Sequence, residues 1–360
     1  MKIQNILLSL LMSSLADGRT TLQPNTRALP QKFRRVFCWG TLTDEETAKK
    51  YSEIGVTDIC VNDRSQLGLA LKYGITPYCG VFSPHGKHGQ VMSQKEEEHF
   101  AYINTHDLEG MTEAEKKKTR DQRRIEMKHR YGGEPVATLD TLNSIRIPCF
   151  VSDTNYERSK SAIDEICSRV QGVKGIFFDY LGYSNFKGCY CQDCLEAYEK
   201  YREQNKLGDS QKTRDVFYRD MLVQYYNDMI DYVKNKRPGF KVVIHVYPTF
   251  LPEPLYGNRT KADFCGQTVA WYFPWASEKI ARYTRITIGD QNKYFQDVQG
   301  VPFVGLNRNP GSLWVKDAAT LEQELQVILE AGGDMLMVCD GNDMIKPEIY
   351  PVFKKFCGKG

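Results

Sequence analysis

Residues 35–82 read RVFCWGTLTDEETAKKYSEIGVTDICVNDRSQLGLALKYGITPYCGVF. Two kinds of segment alternate in this stretch. Arg35 to Trp39 is a short run of bulky, mostly apolar residues, the composition of a strand covered on both faces. Thr43 to Ile54 is charged at half of its positions, opens with Thr43 and Glu46 in capping-box spacing, and stops at Gly55. That is the pattern of a surface helix with its start and stop signals. Val56 to Val61 predicts a second strand, Gln66 to Tyr73 a second helix ended by Gly74, and Ile75 to Phe82 a third strand. Strand, helix and glycine return about every 20 residues, the signature of parallel βα units.

The rhythm breaks at Ser83 and resumes near Ile147. The intervening residues, 83–147, contain the glycine-rich loop His85-Gly86-Lys87-His88-Gly89 and a charged, helix-prone run over 112–130. Such a run reads as a solvated helix face more readily than as a site for an anionic partner. The segment is an insertion after the third strand, where active-site walls are built in barrels. Beyond it, the pattern predicts a helix over Tyr156–Val170 and a fourth strand over Gly175–Asp179. Helices at Leu195–Gln204 and Arg214–Lys236 precede strands at Lys241–Tyr247 and Thr268–Phe273. A helix at Ser277–Tyr283, a strand at Val301–Leu306, a helix at Ala319–Ala331, a strand at Asp334–Cys339 and a helix at Pro347–Phe356 follow. Eight strands alternating with helices predict a (β/α)8 TIM barrel over residues 17–360 as one domain, with the insertion carried by its third strand.

Bulk composition agrees. The 360 residues are 41% hydrophobic and 12% aromatic, enough for a sizeable core. Net charge is +3, from 48 basic and 45 acidic side chains, so nothing points to nucleic acid as a partner. No apolar run approaches the roughly 18 residues of a membrane span. At the N-terminus, Lys2 precedes the apolar stretch Ile6–Leu15, and Ser14-Leu15-Ala16 offers small residues for cleavage. This reads as a secretory signal cut after Ala16, which implies a secreted or periplasmic protein. The alternative is a cytoplasmic chain whose first residues fray or pack as a helix.

In a barrel the C-terminal strand ends share one rim, and that rim carries the chemistry. Reading the ends off this chain collects Trp39, Asn62-Asp63-Arg64, Phe82, Asp179-Tyr180, His245-Val246-Tyr247, Tyr272-Phe273-Pro274-Trp275, Asn307-Arg308 and Asp340-Gly341-Asn342-Asp343. Aromatic faces stack on the C–H surfaces of sugars, and fixed carboxylates suit acid–base work at a glycosidic bond. Any one of these aromatics could instead cap the barrel interior; the collection is what points to a carbohydrate substrate. Asp179 closes an otherwise apolar strand, an expensive place for a carboxylate unless it is paired or working. It is the first candidate catalytic residue, followed by Asp340 and Asp343. Trp39, His245, Tyr247, Tyr272, Trp275, Asn307 and Arg308 are the candidates for holding substrate. Asp179 and Asp340 end the fourth and eighth strands, on opposite sides of an eight-strand barrel. Two short, well-separated carboxyls predict an inverting rather than a retaining mechanism.

Other chemistries lack their motifs. The first strand has no His-x-His pair, and only His245 lies on a strand, against a histidine-bound catalytic metal. No dinucleotide fingerprint, Walker A loop or nucleophile elbow is present, so no organic cofactor is expected.

Eleven cysteines include the cluster Cys189-Tyr190-Cys191-Gln192-Asp193-Cys194 directly after the fourth strand. Cys38, Cys60, Cys79 and Cys339 fall within strand runs and read as small buried hydrophobes. The cluster has two readings. Three thiolates could join a structural zinc whose fourth ligand is Cys149, with Cys167 behind it, or the cysteines could pair as disulfides in a secreted chain.

The Cys-Tyr-Cys-x-x-Cys-Leu loop after the fourth strand, with an upstream cysteine before the third helix, resembles the barrel β-galactosidases that carry a four-cysteine zinc site. Ile176-Phe177-Phe178-Asp179-Tyr180 with this loop is similar to other barrel glycoside hydrolases. The resemblance covers about residues 148–201 and extends beyond them only as barrel rhythm. It implies a glycoside hydrolase with structural zinc on Cys149, Cys189, Cys191 and Cys194. It departs at the chemistry: where those enzymes end the fourth strand in Asn-Glu this chain has Asp179-Tyr180, and where they carry a nucleophilic Glu on the seventh it has Asn307-Arg308. Neither glutamate carries over, which leaves a non-catalytic carbohydrate-binding barrel as the alternative to an enzyme.

Overall fold

The computed structural model describes residues 29–82, 112–115, 117–118, 149–181, 189, 191–246, 259–270, 276–289, 298–306 and 316–358. In chain order the elements are β1 (Arg35–Trp39), α1 (Glu45–Glu53), β2 (Asp58–Val61), α2 (Arg64–Lys72), β3 (Thr76–Phe82) and α3 (Asp153–Arg169). They continue with β4 (Gly175–Leu181), α4 (Gln192–Asn205), α5 (Gln211–Lys236), β5 (Lys241–Val246), β6 (Phe264–Ala270) and α6 (Ser277–Gly289). The last are β7 (Gln299–Gly305), α7 (Ala318–Glu330), β8 (Met335–Cys339), α8 (Gly341–Met344) and α9 (Tyr350–Cys357). The eight strands pair in sequence order, all parallel, and β8 closes on β1. The expected (β/α)8 barrel is the architecture found.

Strand alternation sorts the side chains between barrel interior and helix layer. Phe177 of β4 points inward, stacked on Tyr78 with ring centroids 4.7 Å apart, while Phe178 points outward to Tyr226 of α5 at 6.1 Å. Phe37 meets Phe264 across the interior at 4.9 Å. The floor is polar and closed. Arg35 makes a two-pronged ion pair with the buried Asp58 (2.8 and 2.6 Å), donates to the Tyr78 hydroxyl at 3.2 Å and lies 4.2 Å over the Phe264 ring. Its charge is thus matched by a buried carboxylate at the floor, while the arginine itself stays part-exposed.

The glycine punctuation works as the sequence implies. Gly55 follows α1 with φ +83°, and a Cβ there would lie 2.0 Å from the Cys357 carbonyl oxygen, so only glycine lets α9 approach.

Several element bounds differ from the expected ones, and three of the differences have a clear local cause. The N-cap of α1 is Asp44, whose Oδ1 accepts from the Thr47 amide at 2.7 Å, while Thr43 bonds the Thr47 hydroxyl. Either residue suits the position chemically, and the extended backbone at Asp44 decides it. Likewise Asp63 caps α2 through the Gln66 amide (2.9 Å) and starts that helix at Arg64. Strand β6 begins at Phe264 rather than Thr268, because Phe264 packs into the interior and its backbone continues the ladder with Val243; residues 271–273 lie outside those described. So does the candidate signal, residues 1–16. Within the insertion, Thr112 and Glu115 exchange the reciprocal bonds of a capping box, 2.7 and 3.3 Å. No helix among the described residues is long and apolar enough to cross a membrane.

Candidate active site and cysteine centre

Asp179 is the inward-facing residue at the C-terminal end of β4, 6% exposed. Its Oδ1 lies 3.0 Å from Nδ1 of His245, the inward residue of β5. The other ring nitrogen of His245 is 3.2 Å from the Thr268 hydroxyl of β6, which also lies 3.4 Å from the Val246 carbonyl. Three neighbouring strands therefore contribute one polar group each to a single hydrogen-bonded row. The row is roofed by aromatics. Phe303 of β7 stacks on the imidazole, centroids 3.5 Å apart and planes 9° apart, and Trp39 of β1 meets it edge-on at 6.1 Å. Trp39 itself is half-buried and rests on Phe177 at 4.6 Å.

This burial has an electrostatic consequence. Removal from water pushes the His245 pKa below its ordinary value, against the opposing pull of Asp179. The imidazole is neutral in the physiological range, which makes it a donor at one nitrogen and an acceptor at the other. Cys60 of β2 stands beside the row: burial, and then the Asp179 charge, push its thiol up to about 12. The thiol lies across the bare Cα of Gly80, where a Cβ would be 2.0 Å from Sγ. So the cysteine side chain fills the space that a larger residue on β3 would occupy.

The other candidate carboxylates stand after β8. Asp340 caps α8, accepting from the Asn342 amide at 3.1 Å. Asp343 is buried and ion-paired with Lys346 at 2.6 Å. Asn342, between them, accepts from the Thr41 amide and the Tyr51 hydroxyl (3.0 and 3.2 Å), tying this turn to the loop after β1. Tyr247, Tyr272, Trp275, Asn307 and Arg308 lie outside the described residues; each follows the end of β5, β6 or β7 closely in sequence.

Sequence reading missed Thr268 and Phe303 as partners of His245, and it missed a buried ion pair at the edge of the rim. Lys316 Nζ lies 2.7 Å from Glu324 Oε2 and donates to the Gly305 carbonyl, the last residue of β7, at 2.8 Å. A signal for it existed: Glu324 falls among Leu321, Leu325 and Ile328 on the buried stripe of α7.

The second centre is built by the cysteine loop. Cys149 precedes α3, Cys191 is the N-cap of α4 and Cys194 sits in its first turn. The sulfurs of Cys149, Cys189, Cys191 and Cys194 lie within 4.8 Å of one another. Cys149 is 3.7 Å from Cys191 and 3.5 Å from Cys194, and all eleven cysteines are free thiols. Tetrahedral zinc–thiolate bonds of about 2.3 Å put sulfurs roughly 3.8 Å apart, so the four donors fit such an ion. Hydrogen bonds from the other three thiols push Cys191 well below an ordinary thiol. The Cys149 backbone is held in turn by the Asn155 side chain, which donates to its carbonyl.

The architecture is shared with solved structures. The glycoside hydrolase domain of PgaB (BpsB) from Bordetella bronchiseptica aligns over 91% of this chain and 100% of its own, with TM-score 0.53 and 10% identity. The β-galactosidase of the psychrophilic Marinomonas ef1 aligns over 89% of this chain and 58% of its own, with TM-score 0.54 and 11% identity. The cold-adapted β-galactosidase of Rahnella sp. R3 aligns over 91% and 56%, with TM-score 0.50 and 10% identity. The chain spans little more than half the length of these two β-galactosidases. At such identity the likeness is one of fold: this is a barrel of the kind these glycoside hydrolases carry. No family model matches the chain, and no curated protein matches its sequence.

Proposed function

We propose that the chain is a glycoside hydrolase that cleaves a glycosidic bond of an oligo- or polysaccharide at the C-terminal mouth of the barrel, with Asp179 as its principal catalytic carboxylate. The observation that carries this reading is the row Asp179–His245–Thr268 beneath Trp39: a carboxylate at a strand end, held by a neutral histidine and walled by aromatic rings. A low-dielectric site with one fixed carboxylate suits proton transfer to or from a glycosidic oxygen. The counterpart is Asp340, across the barrel after β8; Asp343 is the less favourable choice because Lys346 pairs with it. The opposed strands β4 and β8 favour inversion, which needs carboxyls about 6.5–9.5 Å apart to admit water. Tyr247, Tyr272, Trp275, Asn307 and Arg308 complete the substrate cleft in this reading. The four-cysteine centre holds a structural zinc, since thiolates filling every tetrahedral position leave no place for a reacting water. A secretory signal ending at Ala16 would bring the protein to extracellular glycans.

A second reading has its own support. Asp340 is used as a helix cap and Asp343 as an ion-pair partner, which is what a non-catalytic carbohydrate-binding barrel would retain. A panel of aryl glycosides and plant, host and bacterial glycans separates the two. The hydrolase reading expects turnover, lost about 10²–10⁴-fold in Asp179→Asn, with the first product formed in the opposite anomeric configuration by proton NMR. Glycan binding without turnover, unchanged by Asp179→Asn, would establish the binder instead.

A further inference from the structure

We propose that Cys79 and Cys167 are a redox pair that closes to a disulfide between β3 and α3 when a small-molecule disulfide is the oxidant, with Cys167 as the sulfur that attacks it. The pair belongs to the folded chain and does not depend on the hydrolase reading.

The two residues are 88 positions apart, one before the insertion and one after it, yet their sulfurs lie 3.3 Å apart in the buried layer between strand and helix. Tyr78 faces the barrel interior, so by alternation Cys79 faces the helices. Cys167 lies on the buried side of α3, on its last turn, in line with Ser159 and Ile163. Expected behind the four-cysteine centre, Cys167 meets Cys79 instead, while Cys149, Cys189, Cys191 and Cys194 gather by themselves. The Cys79 thiol also donates to the Gly175 carbonyl at 3.4 Å. To reach a disulfide length of about 2.05 Å the sulfurs must approach by about 1.3 Å, a small movement for a side chain in the last turn of a helix.

The two sulfurs are not equivalent. The Cys79 thiol, and then the Arg237 guanidinium, hold Cys167 below an ordinary thiol, against burial and the Asp164 charge. Cys79 is pushed the other way by Cys167 and by burial. Arg237 is the C-cap of α5, so a third element supplies the cation. The thiolate is the attacking species in disulfide exchange, which puts Cys167 first. It is 3% exposed, but Ser168 and Arg169 beside it are at the surface, and local opening of the helix end gives an oxidant access. The exchange balances. The Cys167 thiolate attacks one sulfur of the oxidant, forms a mixed disulfide and releases one thiolate. Cys79 then gives up its proton and attacks the Cys167 sulfur, which releases the second thiolate. Two protein thiols are oxidised by two electrons, the oxidant's disulfide is reduced to two thiols, and the protons lost by the protein come to rest on them.

The test uses the purified full chain, incubated with oxidised or with reduced glutathione, then denatured in iodoacetamide and mapped by mass spectrometry of its peptides. Oxidised glutathione should give a peptide pair joined through Cys79 and Cys167, and reduced glutathione the two alkylated cysteines. The joined form should melt about 3–6 °C higher, as expected for a cross-link over this separation in a chain of this size. In Cys79→Ser, glutathione should accumulate on Cys167; in Cys167→Ser, Cys79 should stay unmodified. Arg237→Gln should slow formation of the bond about threefold for each pH unit by which the Cys167 thiol rises, because loss of thiolate outweighs the gain in nucleophilicity. Alkylation of both cysteines after oxidation of the parent protein would overturn the proposal without any variant having to fold. So would a peptide joining Cys167 to Cys149 or to the loop cysteines. Glutathione on Cys79 in Cys167→Ser would refute the assignment of Cys167 as the attacking sulfur.

Discussion

Replacing Glu324 by Gln removes one half of the buried pair that anchors the start of α7 to the end of β7. In the intact protein the side chains of Lys316 and Glu324 are 1% and 4% exposed, 2.7 Å apart. The contact is an ion pair more than an aligned hydrogen bond, since among the described residues neither Glu324 oxygen gains a well-directed donor. Burial pushes the Lys316 ammonium below its ordinary value and the Glu324 carboxyl above its own, each partly offset by the other. With glutamine in place, the Gly305 carbonyl is the remaining acceptor at 2.8 Å for a desolvated ammonium. Breaking one side of such a pair costs about 3–5 kcal/mol. With an unfolding entropy of about 2.1 cal/mol/K per residue, a chain of this size would lose about 4–7 °C of Tm. The sign of the pH dependence is fixed. Lys316 has a lower pKa folded than unfolded, so between those two values the unfolded chain binds more protons and stability rises with pH. Glutamine withdraws the carboxylate's opposing pull and lowers the Lys316 value further, so the deficit of the variant shrinks as pH rises through the gap between the variant's folded value and the parent's. The double variant Lys316→Met/Glu324→Leu, which replaces the charges by apolar groups of similar volume, should recover to within about 1 kcal/mol of the parent. Calorimetric or denaturant unfolding of the three proteins checks this. A single variant within about 1 kcal/mol of the parent, or a double variant as unstable as the single, would refute the reasoning.

Two further outcomes are expected. Elemental analysis of purified protein should find about one zinc per chain, and Cys191→Ser should lower that content and the stability together; metal-free protein with Cys149, Cys189, Cys191 and Cys194 in disulfides would defeat the zinc reading. Asp58→Asn, at the barrel floor, should lower stability by about 2–3 kcal/mol through loss of the Arg35 pair while leaving kcat on any glycan unchanged, because the floor of a barrel serves stability and its rim serves chemistry. A kcat change comparable to the stability change would show that floor and mouth are coupled.

The local order of this protein is carried by its sequence. The apolar runs of β1, β3 and β8, the stops at Gly55 and Gly74, and the periodicity of α5 and α7 are set by residues within a few positions of one another, so strand, helix and barrel rhythm can be read without coordinates. The same holds for three of the four cysteines, which share one short loop, and for Asp179 and His245, whose polarity marks them inside apolar strands. What only the tertiary structure decides is which of these groups meet. Asp179 and His245 are 66 residues apart in the chain, and Cys149 and Cys194 45. The parallel register of β4, β5 and β6 brings the first pair to one level with Thr268; the packing of α3 and α4 against the same helix, α5, goes with the meeting of the second. Competition for hydrogen bonds decided the fate of the remaining carboxylates. Asp44, Asp63 and Asp340 each stand before a helix whose first amides lack partners, and each is taken as a cap. A side chain's type is local information, whereas its partner depends on how strands align across the sheet, and that alignment is settled by the packing of the whole barrel interior.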